Sequence, residues 1–263
     1  MIEATAALIG GLSWQTLAMI VGVAFVASVF AGTTGFGLGP ILILVLAPIL
    51  GIKAVLPTLA VTAAMNNLTR IAAFWSHIHW RVAGICLCTG IPGVLAGTLI
   101  YDALSADAVA VLLGVLLSGV LIGRNLKGRL FQAREMRLGT GGILAVSAFM
   151  GVVSGAAANT GVIIISMLLS SGIEGAALLG TKAVIVVGIT GARSAMFAGL
   201  DVLTAELAFI GFLVGCCTVP GIALSRLLVH RIPVHIHTRA LECVIALGAV
   251  SFLWRGLRGY GVF

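Results

Sequence analysis

Phe30-Ala-Gly-Thr-Thr-Gly-Phe-Gly-Leu-Gly-Pro40 and Val153-Ser-Gly-Ala-Ala-Ala-Asn-Thr-Gly161 each interrupt an apolar run with glycines and small hydroxyl or amide residues. In a bilayer, helix-breaking backbone at depth is tolerated only where it is buried in protein or lines a cavity. A matched pair of interrupted segments, one in each part of a chain, is the best sequence pointer to a carrier's binding site. These two stretches therefore decide the reading: a polytopic helical membrane protein with a site at its breaks.

Composition agrees. The 263 residues are 60% hydrophobic and 9% charged, with a mean hydropathy of +1.22. Soluble domains carry roughly 25% charged residues, so the soluble classes are excluded. Met1–Ser13 lacks the basic start of a signal peptide, and the apolar run after it continues as core sequence. The net charge of +7 sits in short loops between apolar runs. That is the pattern of membrane topogenesis rather than of nucleic-acid binding. The five cysteines, Cys86, Cys88, Cys216, Cys217 and Cys243, all lie in apolar runs and read as small packing residues.

Apolar spans fall at 14–31, 37–50, 54–75, 82–100, 106–125, 139–154, 160–171, 175–198, 204–225 and 240–257. A full crossing takes about 20 residues. The spans at 37–50, 139–154 and 160–171 are short and flank the two breaks, as arms of hairpins that dip into the membrane would. Displacing the chain by 123 residues brings Gly32 onto Gly155, Thr58 onto Thr181, Arg70 onto Arg193 and Phe74 onto Phe197. Pro92-Gly93 and Pro220-Gly221 correspond after a small length adjustment. Two homologous parts follow, 1–125 and 138–263, joined by a basic loop at 126–137.

Loop charges set the orientation. Arg124, Lys127, Arg129, Arg134 and Arg137 place the joining loop in the cytoplasm, with Arg226, Arg231 and Arg239 marking a second loop there and 76–81 a third. The acidic loops at 102–107 and 201–206 then face out, and equivalent loops of the two repeats lie on opposite sides. The fold class expected is an all-α polytopic membrane protein of two inverted halves. Each half is an interrupted hairpin, either re-entrant or fully crossing, followed by three transmembrane helices, and both termini are outside. Arg255 and Arg258 are the misfit to this scheme.

The Gly-rich breaks, the Gly180-Thr181 pair entering a helix, and Pro92-Gly93 with Pro220-Gly221 resemble the TauE/SafE family of sulfite and organosulfonate exporters. The resemblance covers nearly the whole chain. Ala156-Ala-Ala-Asn-Thr160 replaces a more glycine-rich stretch of the family. What the resemblance implies is export of a small sulfur-containing anion, sulfite or an organosulfonate such as sulfoacetate, through a bacterial inner membrane. An anion channel, or a carrier importing a sulfonate or another small organic anion, is the alternative.

Candidate site residues follow from the chemistry an oxyanion needs. Thr33, Thr34, Gly35, Phe36 and Gly37 sit in the first break; Asn159, Thr160 and Gly161 sit in the second. A helix starting after a break presents free N–H donors and a partial positive charge, which binds oxyanions without a basic side chain. The alternative is that the glycines only permit close helix packing. Asn66 and Asn67 lie mid-span, where an amide either lines a cavity or bonds between helices. Thr181 precedes Lys182, which lies well inside its span, where a lone cation costs ~2.5–3.5 kcal/mol or more. An anionic substrate would be its counter-charge, unless the side chain snorkels to the surface. Arg70 and Arg193 stand at equivalent positions toward opposite faces, as vestibule charges or as helix-end anchors.

His77, His79, His230, His235 and His237 fall in expected loops without acidic or thiol partners, and no metal or cofactor is expected. The spans carry no nucleophile–base pair, so no enzyme is expected. Partners reduce to the anionic substrate and the bilayer, with a homodimer left open. Because the spans hold no deep carboxylate for a proton relay, the membrane potential is the simplest drive, gaining about 2.3 kcal/mol per exported charge per 100 mV.

Overall fold

The apolar runs fold as helices whose bounds follow them closely. In the computed structural model, which describes residues 14–34, 38–130, 139–156, 161–228 and 234–259, ten α-helices succeed one another. They are α1 (Trp14–Thr34), α2 (Leu38–Leu50), α3 (Ile52–Phe74), α4 (Trp80–Ala103) and α5 (Ala106–Leu130). After these come α6 (Thr140–Ala156), α7 (Gly161–Ser170), α8 (Gly175–Gly199), α9 (Ala205–Leu228) and α10 (Val234–Gly259). A single 3-10 turn, Trp75–His77, links α3 to α4. No strand occurs among the described residues. Among the described residues two helices, α4 and α8, are long and apolar enough to cross a membrane by length and composition alone.

Several bounds differ from the sequence expectation: α1 continues through residues 30–34 and α6 through residues 153–156, so both enter the stretches read as breaks. α10 opens at Val234, so His235 and His237, expected in a loop, lie in its first turn. α5 runs on to Leu130, into the stretch expected as loop. Hydropathy ends where polar residues begin, but backbone hydrogen bonding does not, and the Leu, Lys and Arg of 126–130 are good helix formers.

α8 fixes the two ends of the bundle. Beside its start, the backbone N–H of His79, in the α3–α4 turn, donates to Thr181 Oγ1 at 3.0 Å. After its far end the chain turns at Asp201 into α9. The Asp201 end also gathers the start of α3 and the end of α4, where Lys53 Nζ donates to the Asp102 carbonyl at 3.3 Å. Gly51, with a φ of +86°, makes the turn from α2 into α3, a conformation that a Cβ disfavours.

α6 lies flat and parallel on α4. A Cβ on Gly93 would meet the Ala148 carbonyl and the Val152 N–H, and one on Gly97 would strike the Val152 carbonyl. From the other side, Gly151 and Gly155 face the carbonyls of Gly90 and Val94. Backbones approach this closely only where side chains are absent. α7 then returns along α6, with Ser147 Oγ donating to Met167 Sδ at 3.4 Å. Its Met167 and Leu168, followed by Ile173, share a buried cluster with Ala83, Cys86 and Ile143. Both outer ends of the α6–α7 pair therefore lie at the His79 end.

The α1–α2 pair is arranged the other way. Ile20 and Ala24 of α1 and Leu42 to Ala47 of α2 share a second cluster with Ile52 to Leu59, Tyr101 and Phe197. That cluster sits at the Asp201 end. α1 packs on α9, where Gly221 meets Ser28 and the Phe25 carbonyl. α3 lies against α8, α9 against α3, and α5 against α10. Large apolar side chains point outward around the bundle, Leu247, Val250, Phe149 and Trp254 among them. A surface of that kind suits lipid rather than water.

Candidate functional site

The last described turn of α6 and the last turns of α8 meet around one buried guanidinium. α6 is described as far as Ala156, and the carbonyl of Ser154 lies in its last described turn. Arg193 reaches across from α8 and donates from Nη1 to that carbonyl at 2.6 Å. Its guanidinium is buried, 3% exposed, and its Nε has no hydrogen-bond partner among the described residues. A buried guanidinium with an unused donor is costly unless something shares it.

One turn further along α8, Phe197 packs edge-on against Tyr101, with ring centroids 5.5 Å apart and an interplanar angle of 68°. The Tyr101 hydroxyl donates into the first turn of α3, at 3.1 Å from the Lys53 carbonyl and 3.3 Å from that of Ile52. Both rings are essentially inaccessible. They form a plug between the Arg193 region and the Asp201 end.

The His79 end carries the other charges. Lys182 of α8 is half-buried, and Arg70 of α3, also half-buried, lies within reach of its charge. Two cations from antiparallel helices thus share one region, while Thr181 is fully buried and occupied by the His79 N–H. Asn67 is also engaged: its Nδ2 donates to the Ala63 carbonyl of its own helix at 2.8 Å. Asn66 is different, 7% exposed with an Oδ1 that has no partner among the described residues.

Sequence reasoning assembled these candidates without their neighbours. Arg70 and Lys182 come together, whereas Arg193 lies toward the opposite end, as expected for its position along α8. Thr33 and Thr34 close α1 and Gly161 opens α7; the side chains of the two threonines lie outside the description. Gly35, Phe36, Gly37, Asn159 and Thr160 lie outside the described residues. Ser154 and Tyr101 were missed. Ser154 stood in the quoted break, but the feature that matters is its carbonyl, which no side-chain pattern reports. Among the described residues no cluster of three or more His, Cys, Asp or Glu could hold a metal.

A helical bundle with lipid-suited flanks and a buried guanidinium reaching between its helices has the character of a membrane protein of transporter type. The chain belongs to the sulfite exporter TauE/SafE family, which it matches over residues 20–252. It is similar to a probable sulfite/organosulfonate exporter TauE of Cupriavidus necator, 32% identical over 132 residues. That match covers 48% of this chain and 50% of the relative, so the chain spans about half the length of the curated relative it matches. No solved structure matches it.

Proposed function

We propose that this protein is a secondary carrier that exports a small sulfur-containing oxyanion, sulfite or an organosulfonate, across the bacterial inner membrane. Two inverted halves, 1–125 and 138–263, alternate access to a site at the two breaks, and the His79 end is cytoplasmic. The halves read as inverted because the pairings recur when α1–α5 are exchanged for α6–α10. α6 on α4 answers α1 on α9, α8 on α4 answers α3 on α9, and α3–α8 and α5–α10 answer themselves. The equivalent turns, after α3 and after α8, also lie at opposite ends.

The observation that carries the site is Arg193. Its guanidinium is held at the α6 break by one carbonyl and keeps Nε in reserve. An oxyanion there would find that donor together with the N–H groups opening α7. Arg70 and Lys182 would draw the anion in from the cytoplasmic end. Asn66, Thr33–Gly37 and Asn159–Gly161 complete the proposed lining, with Thr181 and Asn67 in support.

Purified protein in proteoliposomes loaded with radiolabelled sulfite tests the reading. Efflux should saturate, respond to an imposed potential, and show counterflow. Linear, non-saturating flux without counterflow would assign a channel instead. Single cysteines at Ser76 and Asp201 should label from opposite sides; labelling from one side would sink the inversion.

A further inference from the structure

A cavity of about 510 Å³ opens at the Asp201 end, far from the Arg70–Lys182 region. Its wall brings together the start of α3, the start of α5, the α8–α9 turn and the last turns of α10. Lys53 and Arg255, more than two hundred residues apart in sequence, both line it, and Asp107 is a carboxylate in the same lining. One ammonium proton of Lys53 goes to the Asp102 carbonyl, which leaves its other donors for the cavity. The helices opening here are capped differently: Ser105 Oγ accepts from the Ala108 N–H and Thr204 Oγ1 from the Leu207 N–H. α3 has Gly51 at its cap and no side-chain acceptor.

Membrane insertion gives no reason for these two cations. The Asp201 end carries Asp102, Asp107, Asp201 and Glu206, the charge bias of a non-cytoplasmic face. Lys53 and Arg255 run against that bias, and both line the same cavity. Beneath it lies the plug: the carbonyls of Ile52 and Lys53 take the Tyr101 hydroxyl, and Tyr101 rests on Phe197, one turn from Arg193.

We infer that this cavity is a second oxyanion site, the outer exit vestibule, separated from the α6 break by the Tyr101–Phe197 plug. The inference rests on the export reading for its direction, but the site itself stands on the cavity and its charges. Its ligand is a tetrahedral or pyramidal oxyanion held by one ammonium and one guanidinium, either free in solution or borne by a lipid headgroup.

Calorimetric titration of the full chain, in nanodiscs of phosphatidylcholine, with sodium sulfite should give two classes of site. The Lys53→Gln/Arg255→Gln double variant should lose one class, its affinity falling by at least about tenfold, while the other class persists. Asp107→Asn should tighten the same class by a few-fold, since a repelling charge is removed. Because these side chains are exposed or half-buried, both variants should keep their fold. Two classes unchanged in the double variant would overturn the inference, as would a single class that the double variant leaves intact. A single class abolished by the double variant would support the vestibule and count against the break site. Nanodiscs containing phosphatidylglycerol separate the two sources: competition that weakens sulfite binding at this class assigns a headgroup phosphate, and no competition assigns the free anion.

Discussion

α3 and α8 lie antiparallel at the centre of the bundle, and the same residue types recur along them, yet they are set to different work. Thr58 and Thr181 are both fully buried. Thr58 Oγ1 donates to the Ala54 carbonyl of its own helix at 2.9 Å, whereas Thr181 Oγ1 accepts from His79 and pins the α3–α4 turn. Between threonine and arginine, α3 carries Thr62 and Asn66, and α8 carries Ile185 and Ile189. Thr62 Oγ1 bonds across to the Gly211 carbonyl of α9 at 3.0 Å, while the two isoleucines only pack. Arg193 is buried and fastened to a helix end; Arg70 is half-buried beside a second cation. At matching positions the two helices differ in polarity: α3 brings its arginine beside Lys182, and α8 holds its own buried against a carbonyl.

The largest effect should come from testing the two arginines against each other. Arg193→Met removes the bond to the Ser154 carbonyl and the buried charge; losses of this kind run to ~2–5 kcal/mol, about a hundredfold or more in transport rate. Arg70→Met should cost only about tenfold, since Lys182 remains beside it. Equal losses in the proteoliposome assay would break the comparison.

Next in size is the seam under the Arg193 region. Gly97→Ala drives a methyl into the Val152 backbone, an overpacking that costs ~1–3 kcal/mol. Gly22→Ala meets open space and should leave the thermal midpoint in detergent unchanged or slightly raised. A Gly97→Ala variant as stable as the wild type would mean that α6 is free to move away from α4.

Lys182→Met should weaken anion binding by about tenfold or more, the equivalent of ~1.4 kcal/mol, with Lys182→Arg recovering only part. Titration with sulfite measures this, and affinity held within about twofold would remove Lys182 from the entry region. The smallest difference lies in the threonines. Thr181→Val leaves the His79 N–H without its acceptor, at ~1 kcal/mol or somewhat more. Thr58→Val removes a bond to a carbonyl already used within the helix and should cost a few tenths of a kcal/mol, about the scatter of surface changes. Reversal of that order in thermal unfolding would show that the turn is not anchored by Thr181.

Much of this was legible because a bilayer protein writes its spans as apolar runs. The span expected at 175–198 is α8 at 175–199, and that at 37–50 is α2 at 38–50. Hydropathy was blind where a helix continues through polar residues, as at His235 and His237. It was also blind to partners. Gly93, Gly97, Gly151 and Gly155 announce a close seam by their four-residue spacing, but nothing in either sequence says that they face each other. The candidate site was legible as residue types, not as geometry. Arg193 and Ser154 stand 39 residues apart, and the meeting of Lys53 with Arg255 depends on how α10 returns to α3.

The pairing of α1 with α9 carries a consequence for how the chain is made. α1 is made long before α9, and the surface around Phe25 and Ser28 finds its counterpart, Gly221, only after nearly two hundred further residues have been synthesised. Until then α1 must wait in the membrane with that face covered by lipid or by whatever attends insertion. Contacts so distant along the chain form slowly. The α1–α9 contact therefore forms late in assembly, when most of the other described helices have already been made.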